Sequence, residues 1–351
     1  MKVGILGGGL TSLTLAKKLT NLGISVDIIF NKKVIKNKTR TIGISKSNIN
    51  FFNREILDIS KFLWKINKIE ILTENLKKNK VIEFENYNKC LFSLFKNDKV
   101  LNYLSLDLKR NKLIRFKKKL IIKNYDLIIN CQKNNSLSKK FFFKKIIKDY
   151  KSFAYTTIIR HNKLLKNNVA LQVFTKRGPL AFLPLSSRET SIVFSARGSE
   201  KVNLSELIKK YGEKYSNVKM TKIEKFEIKS NNLRVYYYKN ILAFGDMLHQ
   251  IHPLAGQGFN MILRDIKVLI EIIKLRIENG LDLNSSIFFD FEKKIKHKNY
   301  FFIMGIDLIY EFFNFESKFK NKFLSNSLKI IGKNKFFNKT LKQYADQGVL
   351  L

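Results

Sequence analysis

A short apolar run, Val3-Gly4-Ile5-Leu6, leads straight into Gly7-Gly8-Gly9, and the residues that follow set Leu10, Leu13, Ala16 and Leu19 at helical spacing. Gly23 ends that helix, and Ile24 to Phe30 reads as a second buried strand. Strand, tight turn, helix and strand in immediate succession predict a parallel βαβ unit. A parallel pair needs its crossover helix packed on the sheet, which commits this part of the chain to an α/β layer architecture.

Gly7-x-Gly9-x-x-Ser12 sits after a strand and before a helix, the context that the dinucleotide fingerprint requires. The first glycine makes the turn, the second lets backbone approach a pyrophosphate at the helix N-terminus, and a small third residue keeps helix and strand close. A glycine turn with no ligand is the competing reading. The acidic residue that normally follows to bind ribose is missing: the second strand ends at Phe30, Asn31, Lys32 and Lys33, with Asp27 inside it. Asn31 is the candidate ribose ligand.

Average usage would give a chain of this length about 25 glycines and about 18 prolines; this one has 16 and 3. Drift toward lysine, asparagine, isoleucine and phenylalanine leaves glycine and proline chiefly where geometry demands them. The stretch from Gly245 to Asn260 concentrates them: a Gly-Asp turn, Pro253, Gly256 and Gly258, with His249 and His252 between, running into a helix over 259–278. Strand-like runs precede it at Phe153–Ile159, Ala170–Phe174, Ala181–Leu185, Thr190–Ser195, Leu233–Tyr238 and Ile241–Phe244. Leu120–Ile122 and Asp126–Ile129 read as adjacent strands, Ile69–Leu72 and Val81–Phe84 as two more, and 285–351 as helical.

The Gly245–Asn260 stretch, with the fingerprint, resembles the FAD-dependent aromatic hydroxylases, in which Gly-Asp followed by His-Pro-x-Ala-Gly-Gln-Gly-x-Asn closes the flavin site. The narrower likeness is to the ubiquinone-biosynthesis hydroxylases. Arg40-Thr41-Ile42-Gly43-Ile44-Ser45, Gly178-Pro179-Leu180-Ala181-Phe182-Leu183-Pro184-Leu185 and Arg264-Asp265 are similar to segments of that family. The resemblance implies a Rossmann-like FAD-binding domain (1–67, 100–150 and 239–284), an inserted mixed or antiparallel β-sheet substrate domain (68–99 and 151–238) and a helical C-terminal region (285–351). It also implies FAD as cofactor, NAD(P)H as electron donor, dioxygen and a polyprenylated quinone precursor as substrates, and oxygen transfer through a flavin C4a-hydroperoxide. Gly7, Gly9, Ser12, Asn31, Arg40, Asp246, Pro253, Gly256, Gln257, Gly258 and Asn260 are the implied cofactor-binding residues. Asp246 would serve the ribityl chain or pyrophosphate, and Gly256 to Gly258 would offer NH groups to the pyrimidine edge. His252, Pro253 and Gln257 are the implied catalytic set; His252 is read equally as a loop-packing residue. His161 and His297 are expected at the surface. No cysteine or carboxylate cluster completes a metal site around His249 and His252.

One departure bears on function. Where the family carries Asp-Gly after a central strand, this chain has Gln132-Lys133. That loss, together with Phe30 where a ribose carboxylate is expected, supports a second reading, a non-catalytic subunit of a quinone-biosynthesis complex. The net charge of +39, from 67 basic and 28 acidic residues, is spread along the chain rather than gathered in an arm or stripe, so nucleic acid is not the expected partner. Two distant cysteines point to a reducing compartment, the cytoplasm. The apolar tail around Tyr300–Phe313, followed by Lys318, Lys320 and Lys322, reads either as core packing or as a patch peripheral to the inner face of the cytoplasmic membrane.

Overall fold

The structure is a computed structural model that describes residues 1–30, 39–76, 80–85, 90–163, 166–198, 201–215, 217–318 and 335–348. The first half runs β1 (Lys2–Leu6), α1 (Leu10–Thr20), β2 (Ser25–Ile29), β3 (Thr41–Ser45), α2 (Lys46–Glu55), β4 (Trp64–Ile66), β5 (Lys68–Thr73), β6 (Lys80–Glu85), β7 (Phe92–Lys96), α3 (Asn97–Lys109), β8 (Ile114–Lys117), β9 (Leu127–Asn130) and α4 (Ser136–Phe141). Then follow β10 (Lys145–Arg160), β11 (Val169–Thr175), β12 (Gly178–Pro184), β13 (Glu189–Arg197), α5 (Leu204–Tyr211), β14 (Lys219–Met220), β15 (Glu224–Leu233), β16 (Tyr237–Tyr238), β17 (Ile241–Ala243), β18 (His249–Gln250), α6 (Gly258–Glu278) and α7 (Ser286–Lys318). A last described helix spans Lys335–Gln347.

The βαβ unit forms as its periodicity predicts. β1 and β2 pair in parallel, Val3 opposite Val26 and Ile5 opposite Ile28, and the sheet runs β16-β17-β9-β1-β2-β8. Only the short edge strand β16 is antiparallel. Val3, Ile5, Val26, Ile28, Leu127 and Ile129 are buried together with Leu13, Ala16 and Leu19 of α1 and Leu263 and Ile266 of α6. Parallel strands covered on both faces need near-continuous apolar runs; β1 and β9 have them, and β2 has one interrupted only by Asp27.

The second sheet runs β18-β15-β10-β13-β12-β11-β5-β6, with β14 on β10, and is antiparallel except where β11 meets β5. The Gly178–Pro184 strand lies inside it, between β11 and β13. A third sheet, β3-β7-β4, carries the Arg40–Ser45 segment. Pairing therefore crosses some boundaries drawn from the sequence. Residues 92–96 join β3 rather than the substrate sheet, 237–238 join the parallel sheet, and β10 begins at Lys145. Leu120–Ile122 is not a strand: Ile121 and Ile122 are exposed and 122–124 is a single 3-10 turn. The expected strand over 233–238 is divided between β15 and β16. His161 is buried rather than exposed, with Nε2 2.9 Å from Thr190 Oγ1.

Among the described residues no helix is long and apolar enough to cross a membrane, and no group of three or more His, Cys, Asp or Glu side chains could hold a metal ion.

Candidate active site

Three segments meet at the C-terminal edge of the parallel sheet, where α/β folds place ligands. They are the β1–α1 turn, the strand that follows Arg40, and the loop from Gly245 into α6. Two glycines are fixed by conformation. Gly7 has φ +130°, and a Cβ on it would lie 2.6 Å from Ser12 Oγ and 3.4 Å from Cys131 Cβ. Gly245 has φ +62°, and a Cβ there would lie 2.6 Å from Thr11 Cγ2, so this loop rests on the first turn of α1. Asp246 comes next, with Oδ2 3.8 Å from Arg40 Nη2 and both side chains about half exposed.

Gly9 differs. It is the N-cap of α1 with an ordinary extended backbone, φ −84° and ψ 174°, and a Cβ on it would meet nothing within 4 Å. No side chain caps α1 and its first turn holds no acid. The space beside Gly9, at the positive dipole end of α1, is thus open, and an anion is favoured there.

A second helix N-terminus faces the same region. α6 starts at Gly258 without a side-chain cap or an acid in its first turn. A Cβ on Gly256 would sit 3.6 Å from Gly43 N, so loop backbone lies against strand backbone there. Gln257 Oε1 is buried without a hydrogen-bond partner. Pro253 is half-buried. Asn260 is buried and ties these pieces together: its Oδ1 accepts from Ser45 N at 2.9 Å and Asn48 Nδ2 at 3.0 Å, and its Nδ2 donates to Gly43 O at 3.1 Å and Gly256 O at 3.3 Å. Its side chain is committed to protein partners.

His252 is fully buried. Its Nδ1 accepts from Leu254 N at 3.2 Å, Nε2 has no partner, and its ring packs against Tyr150 and Tyr310 at 4.8 and 4.4 Å between centroids. Burial, helped by Lys148 and opposed by Glu311, pushes its pKa down to about 3, so the ring is neutral near pH 7.

At the end of β2, Asn31 lies outside the described residues. Asp27 is buried and spoken for: Oδ2 accepts from Tyr125 Oη at 2.9 Å and lies 2.8 Å from Lys117 Nζ and 3.4 Å from Lys2 Nζ. Burial acts to raise its pKa, but those three partners win and hold it below the ordinary carboxylate range. The Phe30 ring lies over the glycine turn, where a Cβ on Gly8 would come within 2.7 Å of it. Lys133 donates to Gln250 Oε1. Partial burial of its ammonium lowers its pKa; Asp246 opposes that shift, and Arg40 and Lys145 add to it. The turn holding Gln132 and Lys133 is built by Asn130 and by a reciprocal capping pair, Asn135 and Ser138. The Asn-x-x-Ser spacing is the local signal of such a cap.

Solved structures with this architecture span nearly the whole chain. p-Nitrophenol 4-monooxygenase PnpA from Pseudomonas putida matches with a TM-score of 0.77, 12% identity and coverage of 99% of this chain and 98% of that one. Klebsiella pneumoniae HpxO complexed with FAD and uric acid matches with a TM-score of 0.73, 12% identity and coverage of 97% and 95%. The fold is that of the FAD-dependent monooxygenases. By sequence, the chain is similar to the ubiquinone biosynthesis monooxygenase COQ6 of Danio rerio, 24% identical over 228 residues that make up 52% of this chain and 47% of that protein. It is also similar to the 3-demethoxyubiquinol 3-hydroxylase of Escherichia coli K12, 28% identical over 153 residues, 41% of this chain and 39% of that protein. The chain thus spans about half or less of the length of these relatives. No protein-family model matches it.

Proposed function

We propose that this chain is an FAD-dependent, NAD(P)H-using monooxygenase that hydroxylates the aromatic ring of a polyprenylated ubiquinone precursor, with dioxygen as co-substrate. Gly9 carries the reading. In a glycine-poor chain it is kept where neither φ nor packing calls for it, and where a side chain would fill the space in front of an uncapped helix. A bound pyrophosphate accounts for that glycine.

FAD, when bound, supplies the oxygen-activating redox chemistry. The residues present fit it. Gly7 and Ser12 shape the turn, and the NH groups at the start of α1 would take the pyrophosphate. Asp246 and Arg40, half exposed beside that turn, would contact the ribityl and ring portions. The NH groups of Gly256 to Gly258 and the dipole of α6 would favour negative charge at the pyrimidine edge. Asn260 holds that loop against β3, and Pro253 would wall the ring. Neutral His252 acts through packing on Tyr150 and Tyr310.

An apolar cluster of Phe174, Ile251, Leu254, Phe302, Ile306 and Phe313 packs beside the loop and anchors it to α7. On the outer side of α7, Phe301, Met304, Leu308 and Phe315 are exposed, which supports a membrane-surface encounter with a polyprenyl chain.

The test is reconstitution of purified protein with FAD, followed by NAD(P)H oxidation with and without a prenylated phenol. Stoichiometric flavin and substrate-stimulated oxidation with a hydroxylated product are expected. Quinone profiling of a deletion strain would identify the ring position. Protein that stays flavin-free defeats the proposal and favours the non-catalytic subunit.

A further inference from the structure

We infer that Asp346 is a positioning residue for the Gly256 loop, acting across α2 through Ser45, Ser47 and Asn260. The inference rests on the reading of that loop as flavin-facing.

α2 lacks a cap of its own: Ser45 makes no side-chain capping bond and the first turn contains no acid. Asp346, far along the chain in the Lys335–Gln347 helix, supplies what is missing. Its Oδ1 accepts from Ser47 N at 3.0 Å, and its main-chain oxygen accepts from Ser45 Oγ at 3.3 Å and Ser47 Oγ at 3.2 Å. A carboxylate at a helix N-terminus is favourable through both the orphan NH and the dipole. From Ser45 the bonds continue: its N donates to Asn260 Oδ1, and Asn260 Nδ2 donates to Gly256 O. Asp346 and the loop glycine are thus joined through groups that are each already committed.

Charge works in the same direction. Lys267 Nζ donates to Asn48 Oδ1 at 2.8 Å, and Asn48 also binds Asn260. Arg264, one turn earlier on α6, has both Nη atoms buried without a hydrogen-bond partner, and its guanidinium stands 4.3 Å from the centre of the Phe302 ring of α7. Burial lowers the pKa of both groups, and Asp346 opposes that for each. Asp265 and Tyr344 also act on Arg264 in that sense, and Arg264 itself further lowers Lys267. Losing the Asp346 charge leaves two crowded cations and the positive end of α2 with no carboxylate to offset them.

The seat of the last helix is built rather than incidental. Tyr344 stacks on Phe302 at 5.0 Å and its hydroxyl donates to Phe302 O at 3.3 Å. A methyl on Gly305 of α7 would overlap that hydroxyl, and a Cβ on Gly348 would lie 3.0 Å from Arg264 Nε. Two of the chain's few glycines therefore serve this contact.

The experiment compares wild type, Asp346→Asn and Gly305→Ala, the second unseating the same helix by a different route. Amide exchange is followed in the FAD-free proteins, and FAD affinity by fluorescence titration. Exchange at Gly256–Asn260 is expected to quicken about fivefold in both variants, and the FAD Kd to rise by a similar factor. β1 and β2 amides should stay at wild-type rates. Loop exchange that stays at the wild-type rate in either folded variant overturns the inference, whatever the last helix does. Should one variant unfold globally, the other decides. Wild-type protein that binds no FAD defeats the proposed function instead, and the exchange comparison still decides the coupling.

Discussion

His249 Nε2 lies 2.5 Å from Asp265 Oδ2 with both side chains buried, and Asp265 Oδ1 takes a second bond from Asn299 Nδ2 at 3.0 Å. One carboxylate thus joins the strand just after Asp246 to α6 and α7. Asp265→Ala removes the acceptor for two buried groups, each costing on the order of 1–3 kcal/mol when stranded, so a loss of about 3 kcal/mol is expected. Urea unfolding measures it. A loss below about 0.5 kcal/mol would mean that water replaces the carboxylate and that the contact does not hold the loop.

His252 gives the fold a pH dependence whose sign is fixed. Its folded-state pKa, pushed down to about 3 mainly by burial, lies below the ordinary 6.5, so the unfolded chain takes up the proton first. The neutral ring costs nothing above pH 6.5. Stability then falls as pH drops through 6.5 toward about 3, by roughly 1.4 kcal/mol per pH unit from this one group. His252→Gln should remove that slope. Denaturant midpoints at pH 7, 6 and 5 should converge between variant and wild type as pH falls; parallel curves would show that the ring titrates normally.

Gly9→Ala separates ligand from fold. The backbone at Gly9 suits alanine and the space is empty. The lost unfolded-state entropy and the poorer N-cap offset one another, so stability should stay within about 1 kcal/mol of wild type. FAD affinity should fall at least about tenfold, because the methyl stands where the pyrophosphate would approach. An unchanged Kd would remove the main support for the dinucleotide reading.

What could be read in advance follows the range of the interactions. β1, α1 and β2 were legible because period and turn residues are local. The Gly245–Asn260 loop stood out because its glycines are rare elsewhere. The three-stranded sheet was hidden because Phe92–Lys96 looks like any apolar strand until its partner, Thr41–Ser45, is known. The commitment of Asn260 to Ser45 and Asn48, and the capping of α2 by Asp346, depend on pairs more than 200 residues apart, which no spacing rule reaches. Ile121 and Ile122 misled because apolarity alone does not guarantee burial.

Phe30 is where sequence and structure agree that the site departs from its pattern. The residue directly after β2 is where the fingerprint expects a carboxylate for ribose. Here a half-buried ring lies over Gly8 and meets Phe116 edge-on at 6.2 Å. Hydrogen bonds to a charged acceptor contribute about 1.5–3 kcal/mol, whereas losing one aromatic pair costs about 0.5–1.5 kcal/mol. Phe30→Glu should therefore tighten FAD binding about tenfold or more while lowering the unfolding midpoint slightly, and Phe30→Gln, lacking the charge, should gain less. Fluorescence titration of both variants against wild type decides this. Weaker binding in both would mean that the ring itself supports the adenosine end by contact, and that this chain has exchanged a polar ribose anchor for an apolar one.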